Sequence, residues 1–398
     1  MNMNFLKNLK SFFSLLINRK IIFSLPTKNK CVVFDKPGFD VITKLINIKT
    51  SLIYARKEKV YLSILLLSLL KYFFKWKPLF YYVEYLKFIQ PKICISFIDN
   101  SSVFFSLKSF CPEIIFIVIQ NGTRSYHNDL SRLLFLKKDN KYSVDYGFYF
   151  GKYIRDYVSK IIKINFKTYN FGSIRNNSVA CVKRQKKGIL FISEFREKNS
   201  LPTKKEQKFL IENKYWRKPD LRVLENLNRF CKKNKIKLTI RGSNKKKNNN
   251  EINFYNQYIN NLSARFIPFY SKTNIYSSLD RYKLVVFLSS TLGYESIARG
   301  NKSLCFSGLR GQHVSNFLNS KKELGYNFGW PKKFSKSGIC WSDKANYKDF
   351  EKKINQILSV KKNNWEIFLK NYRKDILFYD KGNLKLKSHL KKIIMKYI

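Results

Sequence analysis

The sequence is poor in acidic residues, in histidine and in paired cysteines. Asp and Glu number 26 against 78 Lys and Arg, so the formal net charge is +52. The 398 residues include three histidines, and the seven cysteines form no CxxC pair. Ligands this scarce argue against a zinc site and against a disulfide framework. We therefore expect reduced thiols, a cytoplasmic location, no metal and no resident cofactor.

Long hydrophobic runs are also missing. The longest apolar stretch, residues 60–70, ends at Lys71 and falls short of the roughly 20 residues that span a bilayer. The basic, apolar N-terminus has no small-residue cleavage site, which argues against a signal peptide. Hydrophobic residues still make up 44% of the chain, too many for a disordered basic tail. The length predicts a large core split between two domains.

Short apolar runs rich in β-formers alternate with helical patterns, which is typical of an α/β protein with parallel sheets. Candidate strands lie at 31–35, 51–55, 92–98, 114–119, 146–150 and 168–171, then at 188–193, 236–241, 264–267, 284–288 and 303–306. Candidate helices lie at 59–90, 205–213, 221–234, 251–262 and 292–299. Residues 176–187 are polar and basic and predict a linker. We expect two Rossmann-like domains facing a cleft, at 1–178 and 187–350, followed by basic helices at 351–398.

The segment 284–306 carries the sharpest chemical pattern. A buried strand ends in a hydroxyl-rich turn, where Ser290 and Thr291 place hydroxyl and N–H groups at a helix N-terminus, a geometry that suits an anion. Gly293 would let the backbone approach a ligand. Glu295 would accept hydrogen bonds from a ribose diol. The alternative is an ordinary helix cap followed by a solvent-exposed glutamate.

Polar and small residues follow two strands of the first half, and such strand ends converge on the ligand site of an α/β sheet. They are Asp99, Asn100, Gln120, Asn121, Gly122 and Arg124. Asp99 is a candidate general base and Arg124 a candidate anion ligand. A helix cap at Asp99 and a tight Asn-Gly turn are the structural alternatives. His127, just beyond the turn, is a second candidate base, although a lone histidine is more often structural.

Two strand ends of the second half add arginines. Ser193 and Arg196 follow one strand, and Arg241 ends another. Both arginines have the planar donor geometry that binds a pyrophosphate through paired hydrogen bonds. We therefore predict that these three residues belong to a donor-binding set with Ser290, Thr291, Gly293 and Glu295.

Six segments taken in order resemble the bacterial surface carbohydrate (surface polysaccharide) biosynthesis family of GT-B-type glycosyltransferases. They are Ile98-Asp-Asn, Ile119-Gln-Asn-Gly, Tyr149-Phe-Gly, Gly172-Ser-Ile-Arg-Asn-Asn, Leu190-Phe-Ile-Ser-Glu-Phe-Arg and Ser290-Thr-Leu-Gly-Tyr-Glu-Ser-Ile-Ala-Arg-Gly. The resemblance implies an acceptor-side domain at 1–178 and a nucleotide-sugar donor domain at 187–350. It also implies that the C-terminal helices pack back on the first domain.

The last of these segments also looks like the donor-nucleotide segment of GT-B enzymes and of UDP-GlcNAc epimerases. That likeness implicates Ser290 and Thr291 at phosphate and Glu295 at ribose. Thr291-Leu292 stands where the epimerases have a Gly-Gly turn, which disfavours epimerisation. The leading expectation is a metal-independent glycosyltransferase that uses a nucleotide-sugar and a glycan or lipid-linked acceptor. A CDP-polyol phosphotransferase is second, and a sugar-nucleotide epimerase is third.

Two non-enzyme functions remain as alternatives. A pI near 10.0 suggests nucleic-acid binding, but the basic residues are spread along the chain without a recognition motif, so no nucleic acid is expected. A peripheral membrane scaffold is suggested by apolar residues interleaved with lysine in residues 1–25 and 384–398. Both segments could instead pack on their own domain. The diffuse positive charge makes an anionic membrane surface a further candidate partner.

Overall fold

The structure, a computed structural model, describes residues 20–56, 58–124, 142–182, 185–195, 218–271, 274–309, 328–329, 332, 334–344 and 346–398. The chain forms two compact units. The first contains Met1–Asn121, Asp129–Arg175 and Asn383–Ile398, and the second contains Gly122–Asn128 and Asn176–Gly382. Each unit is built on a largely parallel sheet flanked by helices, which confirms the predicted α/β class with two Rossmann-like units.

The first unit contains eight described strands and six described helices. The strands are β1 (Lys20–Ile22), β2 (Cys31–Phe34), β3 (Thr50–Ile53), β4 (Lys59–Tyr61), β5 (Ile93–Ser96), β6 (Ile115–Ile119), β7 (Ser143–Tyr149) and β8 (Lys163–Asn170). The helices are α1 (Lys36–Ile42), α2 (Leu62–Tyr72), α3 (Pro78–Ile89), α4 (Ser102–Leu107), α5 (Lys152–Ser159) and, from the C-terminal segment, α13 (Leu384–Tyr397).

Six of these strands make a parallel sheet in the order β3-β2-β5-β6-β7-β8, and β1 pairs with β4 beside it. All six sheet strands were predicted at least in part. The inner strands β2, β5, β6 and β7 are almost wholly buried and rich in apolar residues, as expected of central parallel strands. The edge strand β8 is partly exposed and was predicted only over its last residues. The connections leave β2 in opposite directions, toward β3 on one side and β5 on the other. In open α/β sheets, ligands bind beyond the carboxyl ends of the strands at such a reversal.

The single long helix predicted at 59–90 is wrong. Lys59–Tyr61 forms β4, α2 follows, and a short 3₁₀ turn at Phe73–Lys75 precedes α3. Pro78 occupies the first turn of α3, where its missing N–H costs nothing. In mid-helix the same proline would clash with the preceding turn. The prediction from sequence therefore merged one strand and two helices into a single helix.

The second unit contains seven described strands and seven described helices. The strands are β9 (Ile189–Ile192), β10 (Leu238–Arg241), β11 (Ala264–Ile267), β12 (Leu284–Phe287), β13 (Ser303–Cys305), β14 (Ser337–Gly338) and β15 (Trp341–Ser342). The helices are α6 (Ile174–Asn177), which begins in the first unit, α7 (Lys218–Lys233), α8 (Asn250–Tyr258), α9 (Ile275–Leu279), α10 (Thr291–Ala298), α11 (Tyr347–Ser359) and α12 (Lys362–Asp375). The helix predicted at 205–213 lies outside the described residues.

The second sheet has the order β11-β10-β9-β12-β13-β15-β14 and is parallel except for the last pair. Its connections reverse between β9 and β12, so this sheet also has a ligand-binding crevice at a switch point. The register pairs Val286 with Phe191. Continuing it past the strands brings Glu194 level with Ser289.

The segment predicted as a polar linker, 176–187, is anchored rather than free where it is described. Arg299 donates to the backbone oxygens of Asn176, Val179 and Ala180. The same guanidinium pairs with the Asp280 carboxylate at 2.6 and 3.0 Å. Burial alone would raise the pKa of Asp280, but hydrogen bonds from Arg299 and Asn301 outweigh it and lower the pKa.

The predicted C-terminal helical region, 351–398, is divided between the units. Helices α11 and α12 belong to the second unit, and α13 belongs to the first. Leu386, Leu390 and Ile393 of α13 are buried in the core of the first unit, together with side chains of β2, β5 and β6. The amphipathic pattern of residues 384–398 is therefore used for internal packing.

Six of the seven cysteines are buried, Cys181 is exposed, and none forms a disulfide. No described helix is both long and apolar enough to cross a bilayer.

Candidate functional site

A carboxylate links the ends of two strands at the crevice of the second sheet. Glu194, beyond the end of β9, accepts hydrogen bonds from the backbone N–H and the hydroxyl of Ser289 at 2.6 and 2.7 Å. Ser289 lies beyond β12, so this pair bridges the switch point. It fixes the turn that leads into α10. Glu194 lies in the segment Leu190–Arg196, where no sequence pattern indicated this contact with Ser289.

Helix α10 begins directly after this turn. Ser290 is its N-cap residue, and its hydroxyl makes no capping hydrogen bond. The first N–H groups of a helix lack intrahelical partners and carry the positive end of the helix dipole. Thr291 is engaged by the protein itself, since its hydroxyl accepts the Thr123 N–H at 2.9 Å. Ser290 is thus the hydroxyl left for a ligand.

Gly293 has a packing role that the sequence did not reveal. A Cβ added there would lie 2.0–2.4 Å from ring carbons of Phe287, far inside van der Waals contact. Because Gly293 has no Cβ, α10 can pack directly on β12. This internal contact is sufficient to explain the glycine, and its role toward a ligand stays a prediction.

Glu295 is buried, with 3% of its surface exposed, so the alternative of a solvent-exposed glutamate is wrong. The Tyr276 hydroxyl donates to its Oε1 at 3.3 Å. Glu295 lies one turn into α10, on the same segment as the free Ser290 hydroxyl. Its role toward ribose stays a prediction.

Arg241 is a buried cation without a carboxylate partner in the described part of the chain. It ends β10 with 3% of its surface exposed. Its guanidinium donates to the Ser271 hydroxyl at 2.9 Å and to the Phe269 carbonyl at 3.0 Å. Its Nε is buried without a partner, and burial lowers the pKa of the group. An uncompensated buried charge is costly, and an anionic ligand would remove that cost.

Ser193 does not fit its predicted donor-binding role. Its hydroxyl donates to Glu251 at 2.5 Å and accepts from the Tyr255 hydroxyl and the Phe195 N–H at 2.6 and 3.1 Å. A serine hydroxyl offers one donor and two acceptor sites, so none is left for a ligand. Glu251 also accepts the backbone N–H of Ser243. Ser193 therefore supports the loop after β10.

In the first unit, Asp99 joins the ends of two neighbouring strands. Its Oδ1 accepts the Asn121 N–H at 3.1 Å, and the residue is 2% exposed. The proposed alternative of a helix cap at Asp99 is wrong, because Ser101 caps α4 by accepting the Phe104 N–H. Gln120 is buried, and its Oε1 accepts the Phe150 N–H at 2.8 Å.

The structure adds a second buried acid, Asp35, that sequence patterns missed. It follows β2 at the switch point, level with Phe97 beyond β5. Its φ of 145° and ψ of 133° lie in a region used almost only by glycine. Both carboxylate oxygens are buried without a hydrogen-bond donor, and Arg56 Nε lies 3.6 Å from Oδ1. Burial raises its pKa from 3.8 to about 6.

The remaining predicted cleft residues are divided between the units. Asn100 and Asn121 belong to the first, whereas Gly122 and Arg124 belong to the second. Gly122 faces the Thr291 hydroxyl. His127 and Arg196 lie outside the described residues. Among the residues that the structure does describe, no cluster of three His, Cys, Asp or Glu could hold a metal ion.

Comparison with known proteins identifies the family. A family model described as "putative O-antigen biosynthesis protein" matches residues 117–394. The chain belongs to this family. The resemblance to surface polysaccharide biosynthesis proteins is thereby confirmed. No curated protein matches the chain in sequence.

Solved structures share the fold of this O-antigen biosynthesis family member. A protein titled putative UDP-N-acetylglucosamine 2-epimerase from Listeria monocytogenes is similar with a TM-score of 0.54 and 10% identity, over 93% of this chain and 98% of that chain. The S. aureus MnaA–UDP co-structure gives 0.53 and 11%, over 95% and 97%. The wall teichoic acid polymerase TagF gives 0.50 and 10%, over 100% and 98%. Identities this low show the GT-B-like fold alone.

Proposed function

We propose that the protein is a glycosyltransferase. It moves a sugar from a nucleotide-activated donor to a growing surface polysaccharide or a lipid-linked acceptor. Membership of the O-antigen biosynthesis family supports the surface-glycan role. The fold likeness to the UDP-bound S. aureus structure supports a nucleotide ligand.

The observation that carries the proposal is Arg241, which is buried at the carboxyl edge of the second sheet and pairs with no carboxylate among the described residues. The same edge offers the free Ser290 hydroxyl at the positive end of α10. Together they suit the phosphates of a nucleotide donor. Glu295 would hold the ribose, and Arg196 and the backbone N–H of Thr291, at the first position of α10, would contribute to the same site.

In the transfer step, an acceptor hydroxyl oxygen bonds to the anomeric carbon of the sugar. The bond from that carbon to the phosphate oxygen breaks, and its electron pair leaves with the nucleotide. Arg241 and the α10 N-terminus stabilise the negative charge that develops there. For an inverting transfer, a carboxylate of the first unit takes the hydroxyl proton. Asp99 and the newly found Asp35 are the described candidates, and His127 is the alternative.

This mechanism assigns the leaving-group charge to protein cations, so we propose that no metal or resident cofactor is needed. The nucleotide-sugar is a co-substrate. We also propose a cytoplasmic location, in keeping with thiols that form no disulfides. No role for nucleic acid follows from the site.

The second candidate is a CDP-polyol phosphotransferase, favoured by the fold likeness to TagF. Epimerisation is third, in keeping with the 2-epimerase neighbours. A panel of UDP, GDP, CMP and CDP in a thermal-shift assay separates these functions, because cytidine nucleotides alone should stabilise a CDP-polyol enzyme. Nucleotide release that needs an acceptor indicates transfer, whereas an epimerase returns a nucleotide-sugar with the nucleotide still attached.

Arg241→Met tests the donor site. We expect it to abolish stabilisation by the nucleotide, while the fold keeps or gains stability because a buried unpaired charge is removed. Arg265→Met, at an exposed position of the neighbouring strand β11, is the matched control and should respond as the wild type does. Equal nucleotide responses in both variants would contradict the site.

Glu295→Ala tests donor binding, and Asp99→Ala tests proton transfer from the acceptor. We expect the first to raise the donor KM sharply and the second to lower kcat. Asp35→Asn measured beside Asp99→Asn shows which first-unit carboxylate takes the proton. Full activity in both Glu295→Ala and Asp99→Ala would remove the assigned roles.

A further inference from the structure

Helix α2 is apolar on both sides. Its inner face buries Ile64 and Leu65. Its outer face presents Leu66 and Leu70, which are 46% and 79% exposed. The following 3₁₀ turn continues this face with Phe73 and Phe74, the latter 81% exposed. We call these four residues, Leu66, Leu70, Phe73 and Phe74, the outer stripe.

The outer stripe has helical spacing, since its members stand at positions i, i+4, i+7 and i+8. Single exposed apolar residues are ordinary on protein surfaces, but a contiguous patch marks an interaction site. The outer stripe therefore indicates an interaction site, which scattered exposed apolar residues would not.

The turn that carries the phenylalanines is built firmly into the unit. Trp76 is buried, and its indole N–H donates to the Ser68 hydroxyl of α2 at 3.0 Å. Tyr72 stacks on Phe80 of α3, with ring centroids 4.1 Å apart. The residues on both sides of Phe74 are thus anchored in the unit, while Phe74 itself is exposed.

Three lysines, Lys71, Lys75 and Lys77, flank the outer stripe, and the local sequence holds no acidic residue. No Asp or Glu occurs between Glu58 and Glu84. Lys71 pairs with Glu84 at 2.7 Å. Lys75 and Lys77 are exposed and form no ion pair with any described residue. Apolar side chains and unpaired cations therefore lie within a few residues of each other at the tip of the α2–α3 hairpin.

We propose that the outer stripe docks this protein on an anionic lipid bilayer, with Leu70 and Phe74 in the interfacial region and Lys75 and Lys77 at lipid phosphates. Exposed apolar side chains beside lysines favour an anionic bilayer over a protein partner. Lysine is depleted in the cores of protein–protein interfaces, and two copies of a chain with a net charge of +52 would repel each other. Such docking would serve the surface polysaccharide role of the protein, whichever group the enzyme transfers.

Vesicle flotation of the full chain tests the proposal. The probes are phosphatidylcholine vesicles with and without phosphatidylglycerol. We expect flotation with the anionic vesicles and little with the neutral ones. Leu70→Ser/Phe74→Ser should weaken binding about tenfold or more, because two large apolar side chains lose their burial. Lys75→Gln/Lys77→Gln should remove most of the preference for anionic lipid.

Leu384→Ser/Met395→Ser is the matched control, since these α13 residues are 68% and 73% exposed. It should float as the wild type does. All variants should keep the wild-type thermal-shift response to nucleotides, which separates this proposal from the transfer site. The proposal is overturned if the Leu70/Phe74 variant floats normally or if the wild type binds no vesicle. It is also overturned if deletion of residues 1–19 alone abolishes binding, or if the outer stripe proves to hold a dimer together.

Discussion

Replacing Asp35 by glycine should make the first unit more stable. The backbone at Asp35, with φ at 145° and ψ at 133°, is in a region where a non-glycine residue costs about 1–3 kcal/mol. Its carboxylate is also buried without a hydrogen-bond donor. Asp35→Gly removes the strain and the desolvated charge together.

The charge contribution follows from the pKa. Burial, opposed by Arg56 and reinforced by Glu58, raises the pKa of Asp35 from 3.8 to about 6. That difference corresponds to about 3 kcal/mol of destabilisation at neutral pH. The added freedom of glycine in the unfolded chain costs about 0.5–1 kcal/mol. We therefore expect Asp35→Gly to raise the free energy of unfolding by at least about 2 kcal/mol at neutral pH.

The gain should depend on pH in a defined direction. Between 3.8 and about 6, the unfolded carboxyl is ionised while the folded one keeps its proton, so wild-type stability falls as pH rises through this window. The charge penalty is complete above the window and absent below it. The benefit of Asp35→Gly should be largest above it and shrink to the strain contribution below it.

Urea-induced unfolding above and below this window measures the effect. Asp35→Asn removes the charge and keeps the strained backbone, so it should show the pH-dependent part alone. Asp40→Gly, at an exposed position of α1, is the control and should lose about 0.5–1 kcal/mol. A destabilised Asp35→Gly, or a gain that does not change with pH, would refute the reasoning. A variant that is more stable but cannot transfer sugar would indicate that Asp35 is kept for function.

Two further substitutions test the packing of the second unit by unfolding measurements. Gly293→Ala should cost at least about 1–3 kcal/mol through overpacking against Phe287, and Phe287→Leu in the same chain should recover part of the loss. Arg299→Met should cost about 3–5 kcal/mol by leaving Asp280 buried and unpaired. Because the pKa of Asp280 is lowered in the folded state, the stabilisation from this pair should be present above the ordinary pKa of 3.8 and fade as pH falls through the folded value. An Arg299→Met loss that is equal at low and neutral pH would contradict this account.

The strands were predictable because central parallel strands are buried on both faces. The run Ile115–Ile119 is buried at every position, so apolar residues and β-branching mark it without further information. The α2–α3 hairpin was missed because apolar periodicity alone does not separate one helix from a strand and two helices. Pro78 was the signal that could have divided it.

A site residue could be predicted from the sequence where its location at a strand end suffices. It could not be predicted where its role depends on a partner that is distant in the sequence. Asp99 and Arg241 were found because they end apolar runs. The saturated hydroxyl of Ser193 depends on Glu251, 58 residues away, and the need for Gly293 depends on the ring of Phe287. Asp35 also ends an apolar run, so its place at a strand end could have been predicted in the same way. Its unusual backbone angles leave no mark in the sequence.

Helix α13 has a consequence for how the protein is made. The first unit takes its strands from residues up to Asn170 but completes its core with Leu386, Leu390 and Ile393. At about 5–20 residues per second, translation needs about 10–45 s to pass from Arg175 to the end of the chain. During that time the ribosome-bound first unit has an unfilled apolar groove. Its folding is therefore finished after synthesis of the second unit, although its sheet emerges first.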